Sequence, residues 1–230
     1  MSALFKLKLF IILFFLSYSN AQSLLDNKIY QVHKLRDFIR SEDFKTLKEK
    51  LGDVCTIDLI YKKSLVLCNY DIEDALLVCG FATLDHKVIK FKIPILGLKI
   101  PIILTSESDE KFKKRISNLP SKILSDTIDD RDKLQHFFFS AYIAYKNAGK
   151  KTADKIGILI EEGEKIGLSL VRDERDIIAN RLGQNFGFLL HKNPYLLPSR
   201  FFDSLYKLSP SNHIQCHLQF QLHGQNLLLL

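Results

Sequence analysis

The run Asp129-Asp130-Arg131-Asp132-Lys133-Leu134-Gln135-His136-Phe137 gathers the groups in this chain best suited to chemistry. Asp132 and His136 are four residues apart. On a helix that spacing puts both side chains on one face. A carboxylate beside an imidazole can orient it, tune it as an acid or base, or share a metal with it. Ser140 continues the same face one turn later. Further along, Glu161, Glu162 and Glu164 add carboxylates, although Glu161 with Lys165 also reads as an ordinary surface ion pair. Asp176 and Asn180 are again four apart, and Gly183 and Gly187 extend their stripe. Two glycines so placed let another backbone come close; without such a neighbour they weaken a helix. The Asp176–Asn180–Gly183–Gly187 face is therefore expected to pack on the other helices. Asp132, His136, Glu161, Asp176 and Asn180 would then converge in one polar pocket. Burying such groups apart from one another costs on the order of several kcal/mol, so the alternative to convergence is exposure.

Three helices have to position these groups. The first covers Asp132 to Lys146, with Phe137, Phe138, Ala141, Tyr142 and Tyr145, and breaks at Asn147-Ala148-Gly149. The second covers Thr152 to Leu170, and the third runs from Asp173 to about Leu190 before Pro194 and Pro198 stop it. Short connections favour antiparallel neighbours.

The N-terminal half reads differently. Residues 22–51 look helical, with Val32, Leu35, Phe38 and Ile39 on one face and Gly52 as the stop. Residues 54–104 look β-rich. Ile57, Leu59 and Tyr61 alternate with Asp58 and Ile60, and Lys62-Lys63 reads as a hairpin turn before the apolar run Leu65 to Cys68. Ala75 to Leu84 suits a strand or a buried helix equally. Val88 to Leu104 is apolar but interrupted by Lys90, Lys92, Lys99 and two prolines, which signals strands and not a membrane-spanning helix. Ser106 to Asn118 opens with acidic residues suited to a helix N-terminus, and Pro120 closes it. The expected fold is α+β: a small β-rich N-terminal part packed on a C-terminal module of at least three helices. Its divisions are a signal peptide at 1–21, a mixed α/β part at 22–120, a helical module with the polar cluster at 121–208, and an irregular tail at 209–230.

The first residues set the compartment. Lys6 and Lys8 precede an apolar run from Leu9 to Leu16, and Ser19 and Ala21 supply the small side chains of a cleavage site. Cleavage after Ala21 would export the chain to a periplasmic or extracellular space. The run is short of the ~20 apolar residues that span a bilayer, and no cysteine near the cut supports a lipid anchor. The formal charge of +7 falls to +5 once Lys6 and Lys8 are removed. That excess suits solubility, or an envelope component or anionic membrane surface as partner. No nucleic-acid motif accompanies it. In an oxidising compartment Cys55, Cys68, Cys79 and Cys216 can pair, and Cys55 with Cys68 is one candidate across the expected hairpin. His213, His217 and His223 form a His-rich tract in the tail that most simply reads as a poorly ordered end.

Asp-Lys-x-x-His-Phe opening a helix, followed by a Glu and then Asp-x-x-x-Asn-x-x-Gly, resembles uncharacterised bacterial exported proteins that include the YfiM-like periplasmic lipoprotein group. Asp132, Lys133, His136, Phe137, Ser140, Glu161, Asp176, Asn180 and Gly183 carry the resemblance, which covers roughly residues 130–190. The chain departs from the group in having no lipobox cysteine, in the β-rich reading of its N-terminal half, and in Asn180 where the pattern has Asp. The resemblance implies a cell-envelope setting and no particular reaction.

Two functions follow as expectations. The first is an exported cell-envelope protein of structural or binding role, its polar cluster a hydrogen-bond network that fixes helix register. The second is a metal-dependent or acid/base hydrolase of an envelope lipid or polymer. There His136 would be the base or a metal ligand, Asp132 its orienting carboxylate, and Glu161 and Asp176 the remaining ligands or acid–base groups. Ser140, Asn180 and Lys133 would help to bind the ligand. One His with several carboxylates suits Mn²⁺, Fe²⁺ or Mg²⁺ better than structural zinc. Nucleophile-elbow, His-Glu-x-x-His and phosphate-loop motifs are absent from the sequence.

Overall fold

A computed structural model describes residues 26–92, 99–103, 105–147 and 174–206. The expected signal peptide, the helix expected at 152–170 with Glu161, and the tail with Cys216 and its histidines lie outside these residues. The described chain begins with α1 through residues 26–40, followed by α2 (Glu42–Leu51), α3 (Asp53–Leu67) and α4 (Ile72–Ala82). An antiparallel hairpin of β1 (Val88–Lys92) and β2 (Lys99–Ile103) comes next. Then follow α5 (Asp109–Asn118), α6 (Arg131–Asn147), α7 (Glu174–Leu190) and α8 (Ser199–Tyr206). No described helix is long and apolar enough to cross a membrane.

Local signals fix the helix ends. Ser41 caps α2 by accepting from the Phe44 N–H at 3.1 Å, with Glu42 and Asp43 in the first turn, where the helix dipole favours acids. Gly52, at φ 79°, ends α2 in a conformation that side chains rarely adopt and leads directly into α3. Asp71 caps α4 through the Asp74 N–H at 2.9 Å. Asn69 and Tyr70 both take positive φ and turn the chain between α3 and α4.

The structure corrects the fold expected from sequence. The protein is helical, and the region read as β-rich is mostly α3 and α4; the Lys62-Lys63 turn lies inside α3. The reason is burial. Thr56 through Tyr61, together with Lys63 and Ser64, are all buried, so α3 is enclosed on most of its circumference. A helix buried all round loses its 3.6-residue polarity pattern, and a short apolar run then cannot be told from a strand. Asp58 is the clearest case. It resembles the solvent-facing member of an alternating strand, yet it is 5% exposed and accepts from the Ser199 N–H at 2.8 Å and the Ser199 hydroxyl at 2.7 Å, capping α8. The Cys55–Cys68 bridge is also excluded: Cys55 is disulfide-bonded, while Cys68 and Cys79 are free buried thiols.

One hydrophobic core joins the N-terminal and C-terminal helices. Leu35 and Ile39 of α1, Ile57 and Tyr61 of α3, and Leu76 of α4 pack in the same cluster as Phe137, Phe186 and Phe202. The Phe137 ring stacks on Phe186 at 5.4 Å and meets Phe202 at 4.8 Å, which ties α6, α7 and α8 together.

A charged clasp closes the other end. Glu107 binds Arg115 of α5 (Nη2–Oε2 2.8 Å) and Arg40 of α1. Arg115 also donates to the carbonyls of Ala82 (3.0 Å) and Leu84 (2.8 Å), and Arg36 to the Phe81 carbonyl (2.8 Å) and Thr105 Oγ1 (2.6 Å). Burial pushes the Glu107 carboxyl up, but the hydrogen bonds from Arg115 and the charges of Arg115, Arg36 and Arg40 outweigh it and hold the group below the ordinary carboxylate range. Burial beside Arg115 lowers Arg36 to about 10.

Candidate functional site

The site lies on the seam between α6 and α7, and glycine sets its width. A Cβ placed on Gly183 would fall 2.1 Å from the Phe137 carbonyl oxygen, and one on Gly187 2.1 Å from that of Ala141. Backbone thus rests directly on backbone, as the Gly183–Gly187 stripe requires. That close approach brings short side chains on the facing turns within hydrogen-bond range.

Asp132, Lys133, His136 and Ser140 come from α6, and Asp176 and Asn180 from α7. The Lys133 ammonium is buried at 2% exposure and donates to Asp132 Oδ2 and Asp176 Oδ1, both at 2.6 Å. His136 Nε2 is 3.4 Å from Asp176 Oδ1. One turn on, the Ser140 hydroxyl donates to Asn180 Oδ1 at 2.9 Å. Asp132, His136 and Asp176 each offer a ligand atom, all within 4.8 Å of one another, and the three side chains remain 19–32% exposed. The cluster has a buried cation at its base and a face open to water.

Six of the seven residues singled out from the sequence therefore gather on this seam; the seventh, Glu161, lies outside the described residues. The role expected of Asp132 shifts. The carboxylate at ion-pair distance from His136 is Asp176, from the opposite helix, while Asp132 is engaged with Lys133. Two nitrogen- and oxygen-bearing residue types, His and Asp, form a donor set suited to Mg²⁺, Mn²⁺ or Fe²⁺, with coordination positions left for solvent or a ligand. Lys133 balances one of the two carboxylates, so the cluster keeps net negative charge to attract a cation.

Sequence reasoning missed the support beneath the site. Asp130 is fully buried and accepts from Arg175 Nη1 at 2.6 Å and the Leu124 N–H at 3.0 Å, while its carbonyl accepts from the Lys133 N–H at 2.9 Å. It joins the start of α6 to α7 just below Lys133 and Asp176. Burial pushes the Asp130 carboxyl up, more than the Leu124 N–H and the Arg175 charge pull it down. The Asp129-Asp130-Arg131 run carried a cap signal, but nothing in the spacing pointed to a partner 45 residues away.

Comparison with protein-family models, with curated proteins and with solved structures finds no match.

Proposed function

We propose that this chain is an exported cell-envelope protein with a binding role, and that its α6–α7 seam takes a divalent cation through Asp132, His136 and Asp176. The observation that carries this reading is the grouping of three ligand atoms within 4.8 Å, partly open to water, above the buried Lys133 ammonium. Ligand atoms that stay reachable from water leave a cation a way in. The signal-like N-terminus and the resemblance to exported proteins support the envelope setting, and the disulfide at Cys55 suits an oxidising compartment. Elemental analysis of purified protein after dialysis against Mn²⁺, Fe²⁺ and Mg²⁺ tests the reading. It requires one bound metal per chain, lost in His136→Ala. Absence of metal, with His136→Ala changing only thermal stability, would leave the seam a structural network.

A second reading, hydrolysis of an envelope lipid or polymer at the same seam, draws on the partly exposed His136 imidazole beside Asp176. Hydrolysis of a lipid or glycan ester that His136→Ala abolishes and Ser140→Ala spares would favour it.

A further inference from the structure

Among the described elements the two strands of the β-hairpin pack chiefly on each other. An isolated two-stranded hairpin is marginal in water. Its root, however, is fixed: Arg36 joins Phe81 to Thr105, and Arg115 joins Ala82 and Leu84 to Glu107, so the clasp holds the segments entering and leaving the hairpin side by side. The register pairs Ile89 with Ile102, Phe91 with Ile100, Lys90 with Pro101 and Lys92 with Lys99. Alternate positions therefore sort into two sets. One holds Ile89, Phe91, Ile100 and Ile102; the other holds all three lysines of the strands together with Val88, Pro101 and Ile103. The sequence has no acidic residue from His86 to Ser106. The two-stranded arm is thus wholly apolar on one set of positions, carries its three lysines on the other, and is rooted in the buried clasp.

We propose that this hairpin docks the protein on a bilayer carrying anionic headgroups. Lysines near such a surface are each attracted by about 1 kcal/mol, and apolar positions gain by entering the boundary between headgroups and acyl chains. Among the described residues each strand pairs only with the other, and open strand edges confine docking to the interface and exclude deep insertion. The inference goes beyond the α6–α7 site and does not depend on it.

The chain contains no tryptophan, so Phe91→Trp installs a single fluorescent reporter. The test uses residues 22–230, which keep every described residue and drop the apolar N-terminal run that would itself bind lipid. The expected result is a blue shift and bromolipid quenching with vesicles of phosphatidylcholine and phosphatidylglycerol, reversed by high salt and weak with phosphatidylcholine alone. Replacing Lys90, Lys92 and Lys99 with Gln together should weaken vesicle binding roughly a hundredfold with an unchanged far-ultraviolet circular dichroism spectrum. A folded Phe91→Trp protein whose emission ignores anionic vesicles overturns the proposal. So does a shift that follows protein concentration without lipid, which would mean self-association. Equal binding to a soluble polyanion without bromolipid quenching overturns it too.

Discussion

Gly183 rests on the carbonyl of Phe137 so closely that a Cβ there would lie 2.1 Å from the oxygen. The obstacle is backbone, which cannot swing aside as a side chain can. Gly183→Ala should force α6 and α7 apart and cost at least ~1–3 kcal/mol in urea unfolding. It should also weaken any metal binding at Asp132, His136 and Asp176, because those residues come from both helices.

Lys133→Met keeps the volume of the side chain and removes its charge. Asp132 and Asp176 are then left facing each other without the ammonium that bonds both at 2.6 Å. Both carboxylates stay partly exposed, so loss of these charge-assisted bonds should cost roughly 1.5–3 kcal/mol, seen as a lower melting temperature. Millimolar Mg²⁺ or Mn²⁺ should restore part of that loss in Lys133→Met, and the restoration should vanish when His136→Ala is added.

Asp58 and Ser199 are joined by two hydrogen bonds across 141 residues of chain. Asp58→Ala should destabilise the protein by roughly 1–3 kcal/mol by leaving buried donors unpaired. Ser199→Ala should cost less, since its backbone N–H keeps the carboxylate. A double-mutant cycle measured by chemical denaturation should show the two changes coupled.

The clasp makes stability depend on pH. The Glu107 carboxyl is held below its ordinary range in the folded protein. Its contribution is therefore complete above the unfolded value, near ~4.3, and is lost as the pH falls through the depressed folded value. Glu107→Gln should lower stability at pH 7 by roughly 3–5 kcal/mol, and the difference from the parent should narrow under acid, as followed by denaturation at pH 3 to 7.

Cysteine chemistry offers a direct check on α3. Under denaturing, non-reducing conditions an alkylating reagent should label Cys68 and Cys79 but not Cys55, which is disulfide-bonded. After reduction it should label all four cysteines of the chain. Labelling of Cys55 before reduction would contradict the arrangement.

The seam was legible in sequence because its signals are local. Asp132 with His136 and Asp176 with Asn180 each repeat at helical spacing, and Gly183 and Gly187 announce a close neighbour. Neither spacing says which carboxylate faces the imidazole; that depends on how far α7 slides along α6, which long-range packing decides. The α3 region was illegible for the opposite reason. Enclosed by other elements, it buries Asp58 and Lys63 as well as its aliphatic residues, so polarity no longer marks its face. Arg36 and Arg40 lie on α1, at least 67 residues before Glu107 and Arg115, and the two pairs meet only once the fold is complete.

The clasp at the hairpin root grips main-chain carbonyls at Phe81, Ala82 and Leu84. Every residue type presents the same carbonyl, so on the entering side that grip is indifferent to side chains, while on the leaving side it needs the Thr105 hydroxyl and the Glu107 carboxylate. A different β-hairpin joined between Leu84 and Thr105 should therefore inherit the same footing, provided Thr105 and Glu107 are kept.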